Sequence, residues 1–293
     1  GGWTITMFAI LKRELKTYFK TPTGYIFMAL FLLLSGIFFA NQVLLPKTPR
    51  FAPFLGNILF IFLLVVPILT MRLMTDEKRM STDQLLLTSP LRISDIVLGK
   101  FFAAAVLLGI TLLITVFYPV IIAIHGSLDT WETVGSYIGF LLLGCSFISV
   151  GVFISTTTES QVSAGIITFG ALLIVWIMDF LRGNVPSDKI AGIIFAAVLV
   201  LALAVWLYFS TRHLLLSIAV GIVGAGIILL FVLLNDQLFV GFISNVLGWL
   251  SPVQRYQDFT MGILKLNAIV YYISFSTFFL FLSIRLIDKK RWV

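Results

Sequence analysis

The chain has 293 residues, of which 60% are hydrophobic and only 11% are charged, and it carries a formal net charge of +7. Soluble domains have about 25% charged residues, so this composition excludes a water-soluble fold and makes a bilayer the expected solvent. The single cysteine, Cys145, excludes an internal disulfide framework and a multi-cysteine metal site. Because basic residues flank apolar segments, as membrane topology predicts, we expect no nucleic-acid partner.

The first predicted element is an amphipathic helix over residues 7–20, in which apolar side chains recur at helical spacing opposite basic ones. The apolar set is Phe8, Leu11, Leu15, Tyr18 and Phe19, and the basic set is Lys12, Arg13, Lys16 and Lys20. We expect this interfacial helix to lie on the anionic cytoplasmic leaflet and to turn into the first span at Thr21-Pro22. A frayed basic terminus is the alternative. The apolar run that follows is long enough to remain as a span, so no removable signal peptide is expected.

Eight apolar runs are long enough to cross a hydrocarbon core of about 30 Å as helices. They cover residues 22–45, 51–71, 97–124, 134–155, 161–181, 190–209, 214–234 and 267–287. Strands of a membrane barrel would be polar at every second residue, whereas runs such as Ile110 to Val120 are apolar on all faces. The sequence therefore predicts an all-α polytopic membrane protein, with one domain over residues 1–293.

The distribution of Lys and Arg predicts the orientation of these spans, because cytoplasmic loops carry an excess of both. With the N-terminus inside, 14 of the 20 basic residues fall on the cytoplasmic side and six fall outside. The outside set is Lys47, Arg50, Arg182, Lys189, Arg255 and Lys265. Both chain termini are therefore expected in the cytoplasm.

The only long charged stretch, residues 72–96, joins the second and third spans and is expected to be cytoplasmic. Asp83 and Gln84 would form the first turn of a short helix that continues through three leucines and ends before Pro90. Such a helix would lie along the inner membrane surface and would act as a rigid lever, since a flexible loop absorbs motion. A solvated connecting loop is the alternative that the residues alone leave open.

Residues 237–264 are too polar in their second half to span the membrane. We expect short helices that dip into the outer leaflet, broken at Ser251-Pro252. The preceding hairpin, residues 190–234, carries a small-residue face that favours packing on protein. This face consists of Gly221, Gly224, Ala225 and Gly226.

Ionisable residues within spans usually mark function, and here they are sparse. His125, Glu159, Asp179 and His213 all fall near predicted span ends, and no metalloprotease or paired-acid pattern appears, so an enzyme is disfavoured. A set of mid-span polar residues either bridges helices or lines a path, and bridging is favoured. This set is Ser35, Asn57, Thr111, Thr115, Ser146, Ser149 and Thr168.

Several stretches, in order along the whole chain, resemble ABC-2 type transporter permeases. Glu77-Lys78-Arg79, residues 84–90 and residues 95–101 look like the coupling region of that family. Residues 10–19 with Pro22, Gly24 and Tyr25 resemble the first helix of its gliding-motility and copper-enzyme-maturation branch. Residues 149–161, 250–262 and 290–292 are similar to the turn between its fourth and fifth spans, its last outer segment and its tail.

This resemblance implies the permease subunit of an ATP-driven exporter in a bacterial cytoplasmic membrane. The chain has no phosphate-binding loop, because its only Gly-Lys, at positions 99 and 100, precedes Phe101 at the mouth of a span. A separate cytoplasmic ATPase would then bind ATP and Mg²⁺. The implied ATPase-coupling residues are Glu77, Lys78, Arg79, Asp83, Gln84, Leu85, Leu86 and Leu87, and the implied outer-gate residues are Tyr256 and Phe259.

The resemblance also implies partners, namely a second permease chain, the same or different, membrane lipids and an extracytoplasmic auxiliary subunit. One departure is that such permeases usually have six spans, so the hairpin at 190–234 is an addition to the six-span core. The alternative function is a stand-alone secondary transporter or a membrane scaffold that transmits force without transport. The sequence does not identify the substrate.

Overall fold

The computed structural model describes residues 2–46, 51–79, 92–125, 128–234 and 239–291. Every regular element in these ranges is a helix, and eight helices in them are long and apolar enough to cross a membrane. These eight are Pro22–Leu44, Ala52–Lys78, Ile93–Ile124, Thr130–Thr157, Gln161–Arg182, Lys189–Phe209, Leu214–Leu234 and Leu266–Lys289. The prediction of an all-α polytopic membrane protein is confirmed.

The helices are, in chain order, α1 (Gly2–Lys20), α2 (Pro22–Phe39, continued by the π-helical turn Ala40–Leu44), α3 (Ala52–Asn57, continued by the 3-10 turn Ile58–Phe60), α4 (Ile61–Thr70), α5 (Thr75–Arg79), α6 (Ile93–Thr115), α7 (Phe117–His125), α8 (Thr130–Thr157), α9 (Gln161–Arg182), α10 (Lys189–Thr211), α11 (Leu214–Leu234), α12 (Phe242–Leu250), α13 (Pro252–Thr260) and α14 (Leu266–Arg291).

Prolines set several helix boundaries. Thr21 is extended, with φ −104° and ψ 154°, because Pro22 disfavours the helical conformation of the residue before it, so the predicted turn from α1 into the first span is confirmed. Pro119 has no N–H to give to the carbonyl of Thr115, and α6 gives way to α7 at this point. Pro252 likewise begins α13, and the predicted break at Ser251-Pro252 is confirmed.

The described chain divides into two compact units, and the expectation of a single domain stays a prediction. The first unit comprises residues up to Ile174 together with those from Pro252 onward, and the second comprises Val175–Ser251. In the first unit α8 is central, since it packs against α14, α6, α4, α3 and α13. Phe140 of α8 contacts the rings of Phe31 and Phe62, at centroid distances of 6.0 and 4.4 Å.

The second unit contains α10 and α11, which correspond to the predicted additional hairpin. These two helices pack on each other, and Gly224 lies so close to Val200 that an added Cβ would be 2.4 Å from Val200 Cγ1. Gly192 similarly approaches the carbonyl of Phe239. Gly224 thus lets the two helices of the hairpin approach closely, whereas an added Cβ at Gly226 would meet nothing within 4 Å, and most outer apolar side chains of the hairpin are exposed.

Four of the seven mid-span polar side chains, three hydroxyls and the amide of Asn57, join helices, which is the role that the sequence favoured. Ser35 of α2 lies 3.3 Å from the hydroxyl of Tyr118 in α7. Thr115 of α6 lies 3.1 Å from the hydroxyl of Tyr137 in α8. The remaining bridges and internal bonds are Ser146 to Ser276 of α14, Asn57 to Gln42, Thr111 to the carbonyl of Leu107, and Ser149 to the carbonyl of Ser146.

Candidate functional site

The described part of the predicted coupling region covers residues 72–79 and 92–96. Glu77 and Lys78 lie in α5, which follows a turn at the end of α4. The side chain of Arg79 and all of Asp83, Gln84, Leu85, Leu86 and Leu87 lie outside the described residues. Their contact with an ATPase therefore stays a prediction, and the site is built from the residues that lead into this region.

Glu77 belongs to an ion cluster that joins α5, α1 and α6. Lys100 Nζ lies 2.9 Å from Glu77 Oε1 and 3.6 Å from Glu14 Oε1. Arg13 lies 2.8 Å from Glu14 and 3.3 Å from Glu77. Lys100 also donates a hydrogen bond to the carbonyl of Leu73. We call Arg13, Glu14, Glu77 and Lys100 the ion cluster.

The ion cluster is shielded because α1 packs closely on α6. At Gly99 an added Cβ would be 2.8 Å from Ile10 Cγ2, so a larger residue would push the two helices apart. Only 3% of the Lys100 side chain is exposed, against 17% for Glu77 and 14% for Glu14. A buried ammonium is costly unless it is paired and hydrogen-bonded, and here two carboxylates and a carbonyl meet that need.

Arg13 is the exposed member of the ion cluster, with 56% of its side chain accessible. Its hydrogen bond to Glu14 raises the pKa of the guanidinium, and the charge of Glu77 acts in the same direction. Arg13 therefore stays charged while it faces both the cluster and the surface.

Lys78 binds the C-terminal end of α8. Its Nζ donates to the carbonyl of Thr156 at 2.5 Å, of Thr158 at 2.8 Å and of Ser155 at 3.3 Å. The last carbonyls of a helix have no partner within the helix and carry partial negative charge, so a lysine satisfies both needs. Lys78 thereby fixes α5 to the end of the most central helix.

Three more contacts hold the same segment. The hydroxyl of Tyr18 in α1 donates to the carbonyl of Leu69 at 3.2 Å, and burial raises the pKa of Tyr18. Arg72 donates to the hydroxyl of Thr23 in α2 at 2.7 Å. The side-chain amide of Gln161, the first residue of α9, donates to Asp76 Oδ1.

Residues 69–78 therefore form a clamped segment, bound to α1, α2, α6, α8 and α9. Such an arrangement can pass a displacement at the end of α5 to several spans at once, because ion pairs and helix-end contacts resist sliding. Glu77 and Lys78, which the sequence singled out, are its last two residues. Glu14, Lys100 and Gln161 were missed.

A sequence signal existed for two of the missed residues. Lys100 lies inside the apolar run that follows Ile96, where an unpaired lysine would be costly, so a carboxylate partner was to be expected. Glu14 is the single acid among the four bases of the first helix. Neither signal names the partner, which only the packing of α1 on α6 provides.

The predicted outer-gate residues Tyr256 and Phe259 lie in α13 and are buried, with 1% and 0% exposed. They pack on α8 where it lacks side chains, since an added Cβ at Gly139 would be 2.7 Å from Phe259 Cβ, and one at Gly135 would be 2.8 Å from its carbonyl oxygen. Tyr256 also meets the ring of Phe140 at 6.3 Å, and burial raises the pKa of its hydroxyl. Their action as a gate stays a prediction.

The helices and the clamped segment described above define an all-helical, multi-pass membrane protein whose charged connecting region is bound to its spans. The chain belongs to the ABC-2 type transporter family, which it matches over residues 6–179, more than half of its length. It is thus a permease component of an ABC transporter, and the family implies an ATPase partner in a transporter complex. None of the curated proteins matches the chain.

The matched region runs from α1 into the second half of α9 and includes every residue of the clamped segment and the ion cluster. It ends before α10 and α11. The family membership thus rests on the part of the chain that carries the candidate site.

Proposed function

We propose that the chain is the membrane permease of an ATP-driven exporter, in which a cytoplasmic ATPase pushes on residues 76–90. The observation that carries this proposal is the clamped segment, because residues 69–78 bind five helices through buried or short polar contacts. The proposal includes the gliding-motility and copper-enzyme-maturation branch, a bacterial inner membrane and cytoplasmic chain termini. ATP and Mg²⁺ would be bound by the ATPase.

Within this proposal the coupling residues divide into two groups with different tasks. Asp83, Gln84 and Leu85 to Leu87 would contact the ATPase. Glu77 and Lys78 would pass the motion on, since Glu77 is paired with Lys100 and Lys78 holds the carbonyls of α8. This division differs from the expectation from sequence, in which Glu77 and Lys78 would contact the ATPase themselves and Leu85 to Leu87 would seat the helix.

The complex would contain a second permease chain and two ATPase subunits, with an extracytoplasmic auxiliary subunit as a further partner. Two copies are needed because closure of an ATPase pair acts on two coupling segments. The spans offer many exposed apolar side chains for such an interface and for lipid, among them Ile166 and Phe180 of α9.

The alternative function is a stand-alone transporter or a scaffold that transmits force without transport. A stand-alone transporter needs groups near the middle of the membrane that bind and release its coupling ion. The ion cluster pairs its charges with one another, which suits a mechanical connection better than ion release. These observations favour the ATPase-coupled permease.

The experiment is purification of the tagged chain in mild detergent, with identification of the proteins that accompany it and assay of ATP hydrolysis. Asp83→Ala/Gln84→Ala is expected to lose the ATPase subunit. Lys78→Met is expected to keep the ATPase subunit but to uncouple ATP hydrolysis from the permease. The uncoupling would be seen as a changed rate of ATP hydrolysis in a complex of unchanged composition.

Lys265→Met is the matched control, since Lys265 is 54% exposed and forms an ion pair with Asp258 at a surface. It is expected to behave as the wild type. Purification of the wild type without any ATPase would contradict the proposal and would favour the stand-alone transporter or scaffold. Loss of the ATPase in Lys78→Met would contradict the division into two groups.

A further inference from the structure

The helix α1 distributes its side chains among three faces. Ile10 and Tyr18 face protein, with 8% and 7% exposed, and Glu14 points to Lys100 on the same side. Phe8 and Phe19 form one flank and are 63% and 38% exposed. The remaining face is basic. Apart from Arg13, only residues of the first face take part in the contacts described above.

The aromatic flank continues into the start of the first span. The ring of Phe19 meets the ring of Tyr25 edge-on, at a centroid distance of 6.4 Å, and Tyr25 is 54% exposed. We call Phe8, Phe19 and Tyr25 the aromatic ridge. Exposed aromatic side chains beside the first turn of a membrane span are typical of the boundary between headgroups and acyl chains.

The basic face borders the aromatic ridge. Lys12, Lys16 and Lys20 follow Phe8 at intervals of four residues, so they share its side of the helix. All three are exposed, and none forms an ion pair with any residue in the described ranges. Arg13 lies beside them with more than half of its side chain accessible.

We propose that this face of α1 is a binding surface for anionic phospholipids, in which the aromatic ridge enters the acyl boundary while Lys12, Lys16 and Lys20 hold headgroup phosphates. An acidic protein surface would match the lysines but would leave the ridge against water, whereas a lipid surface covers both. This goes beyond the expected position of α1 at the interface, because it makes the headgroup a selective ligand.

Arg13 connects the lipid surface to the ion cluster. A headgroup phosphate that binds the guanidinium withdraws it from Glu14 and Glu77, so that the two carboxylates lose one of their cations. Arginine binds phosphate and carboxylate with the same planar donor pattern, so the exchange needs no rearrangement of the helix. The lipid composition would thereby bias the clamped segment.

The test uses the purified full chain alone, so its result does not depend on an ATPase. The protein is equilibrated in micelles containing equal amounts of phosphatidylglycerol and phosphatidylcholine, and the retained lipids are quantified by mass spectrometry. The wild type is expected to retain phosphatidylglycerol preferentially. Lys12→Gln/Lys16→Gln is expected to reduce the ratio of phosphatidylglycerol to phosphatidylcholine by about fivefold for each charge removed.

Lys189→Gln/Lys265→Gln is the matched control, because it also removes two lysine charges, neither of which belongs to α1, and it is expected to keep the wild-type ratio. An unchanged ratio in Lys12→Gln/Lys16→Gln, or a wild type without preference, would overturn the proposal and would assign the basic face to an acidic protein partner. If Lys12→Gln/Lys16→Gln does not fold, the test is made on the wild type alone. The ratio of retained phosphatidylglycerol to phosphatidylcholine is then expected to fall as the salt concentration is raised, and a ratio that does not depend on salt overturns the proposal.

Discussion

Lys100 and Glu77 form an ion pair of 2.9 Å between α6 and α5, and the lysine is almost completely withdrawn from solvent. A buried pair of this kind contributes little net stability compared with a well-packed apolar pair. Removal of one partner, however, leaves the other charge buried and unpaired. The structural effect of the Lys100–Glu77 pair is therefore to specify where α5 lies, which is the property that the proposed coupling role needs.

The first prediction concerns this pair. Lys100→Met is expected to lower the free energy of unfolding by about 3–5 kcal/mol, because Glu77 and Glu14 lose their buried cation. Lys265→Met, which breaks the exposed pair with Asp258, is expected to cost about 0–1 kcal/mol. Thermal or denaturant unfolding in detergent measures both.

A double-mutant cycle separates the pair from other effects of the first substitution. Glu77→Gln in the Lys100→Met background is expected to restore part of the lost stability, since it removes a carboxylate that has lost its buried cation. Additive losses from Glu77→Gln and Lys100→Met would show that the two residues do not interact.

The second prediction concerns the contact of Lys78 with α8. Lys78→Met leaves three carbonyls at the end of α8 without their donor and releases α5, so cleavage after Glu77 by a glutamate-specific protease is expected to accelerate. The rate is measured by mass spectrometry of the fragments. Cleavage after Glu132, at the opposite end of α8, serves as the internal reference and is expected to stay constant. Equal acceleration at both sites would mean general unfolding instead of local release.

The third prediction concerns the seat of α13 on α8. Gly139→Ala would place a methyl group 2.7 Å from Phe259 Cβ and Cγ, so α13 must shift, at a cost of about 1–3 kcal/mol. Gly170→Ala is the control, because an added Cβ there meets nothing within 4 Å. That substitution is expected to be neutral or slightly stabilising in a helix. Equal unfolding midpoints for Gly139→Ala and Gly170→Ala would contradict the close packing of α13 on α8.

The fourth prediction concerns orientation and the additional hairpin. In a Cys145→Ser background, Asn184→Cys is expected to react with a membrane-impermeant maleimide in intact cells. Arg212→Cys and Lys289→Cys are expected to react only after permeabilisation, because cytoplasmic positions carry the basic excess. Labelling of Arg212→Cys in intact cells would show that α10 does not cross the membrane.

The spans were predictable because their signal is local. A run of about 20 apolar residues identifies a spanning helix without reference to any partner. Pro252 likewise indicates the break between α12 and α13 from the local sequence alone. The ion cluster was not predictable, because Glu14, Glu77 and Lys100 come from three helices and only the approach of α1 to Gly99 brings them together.

The face of α1 shows the same limit in one helix. Periodicity correctly indicated an amphipathic helix, and it placed Phe8 and Phe19 with Tyr18 in one apolar set. The structure separates them, since Tyr18 is buried against protein while Phe8 is 63% exposed. A hydrophobic pattern does not distinguish a side chain covered by protein from one left for lipid, because both environments are apolar.

The 28 residues of α8 form one helix without proline, and at 1.5 Å per residue its axis is about 42 Å long. The side chain of Thr70 packs against Gly151, and the side chain of Leu108 packs against Gly144. These contacts support α8 at two glycines, which are positions where a helix can bend. The helix is thus a stiff rod, held by Lys78 at one tip and by α13 near the other. A displacement of α8 at Lys78 would therefore reach its contact with Phe259 through one continuous helix.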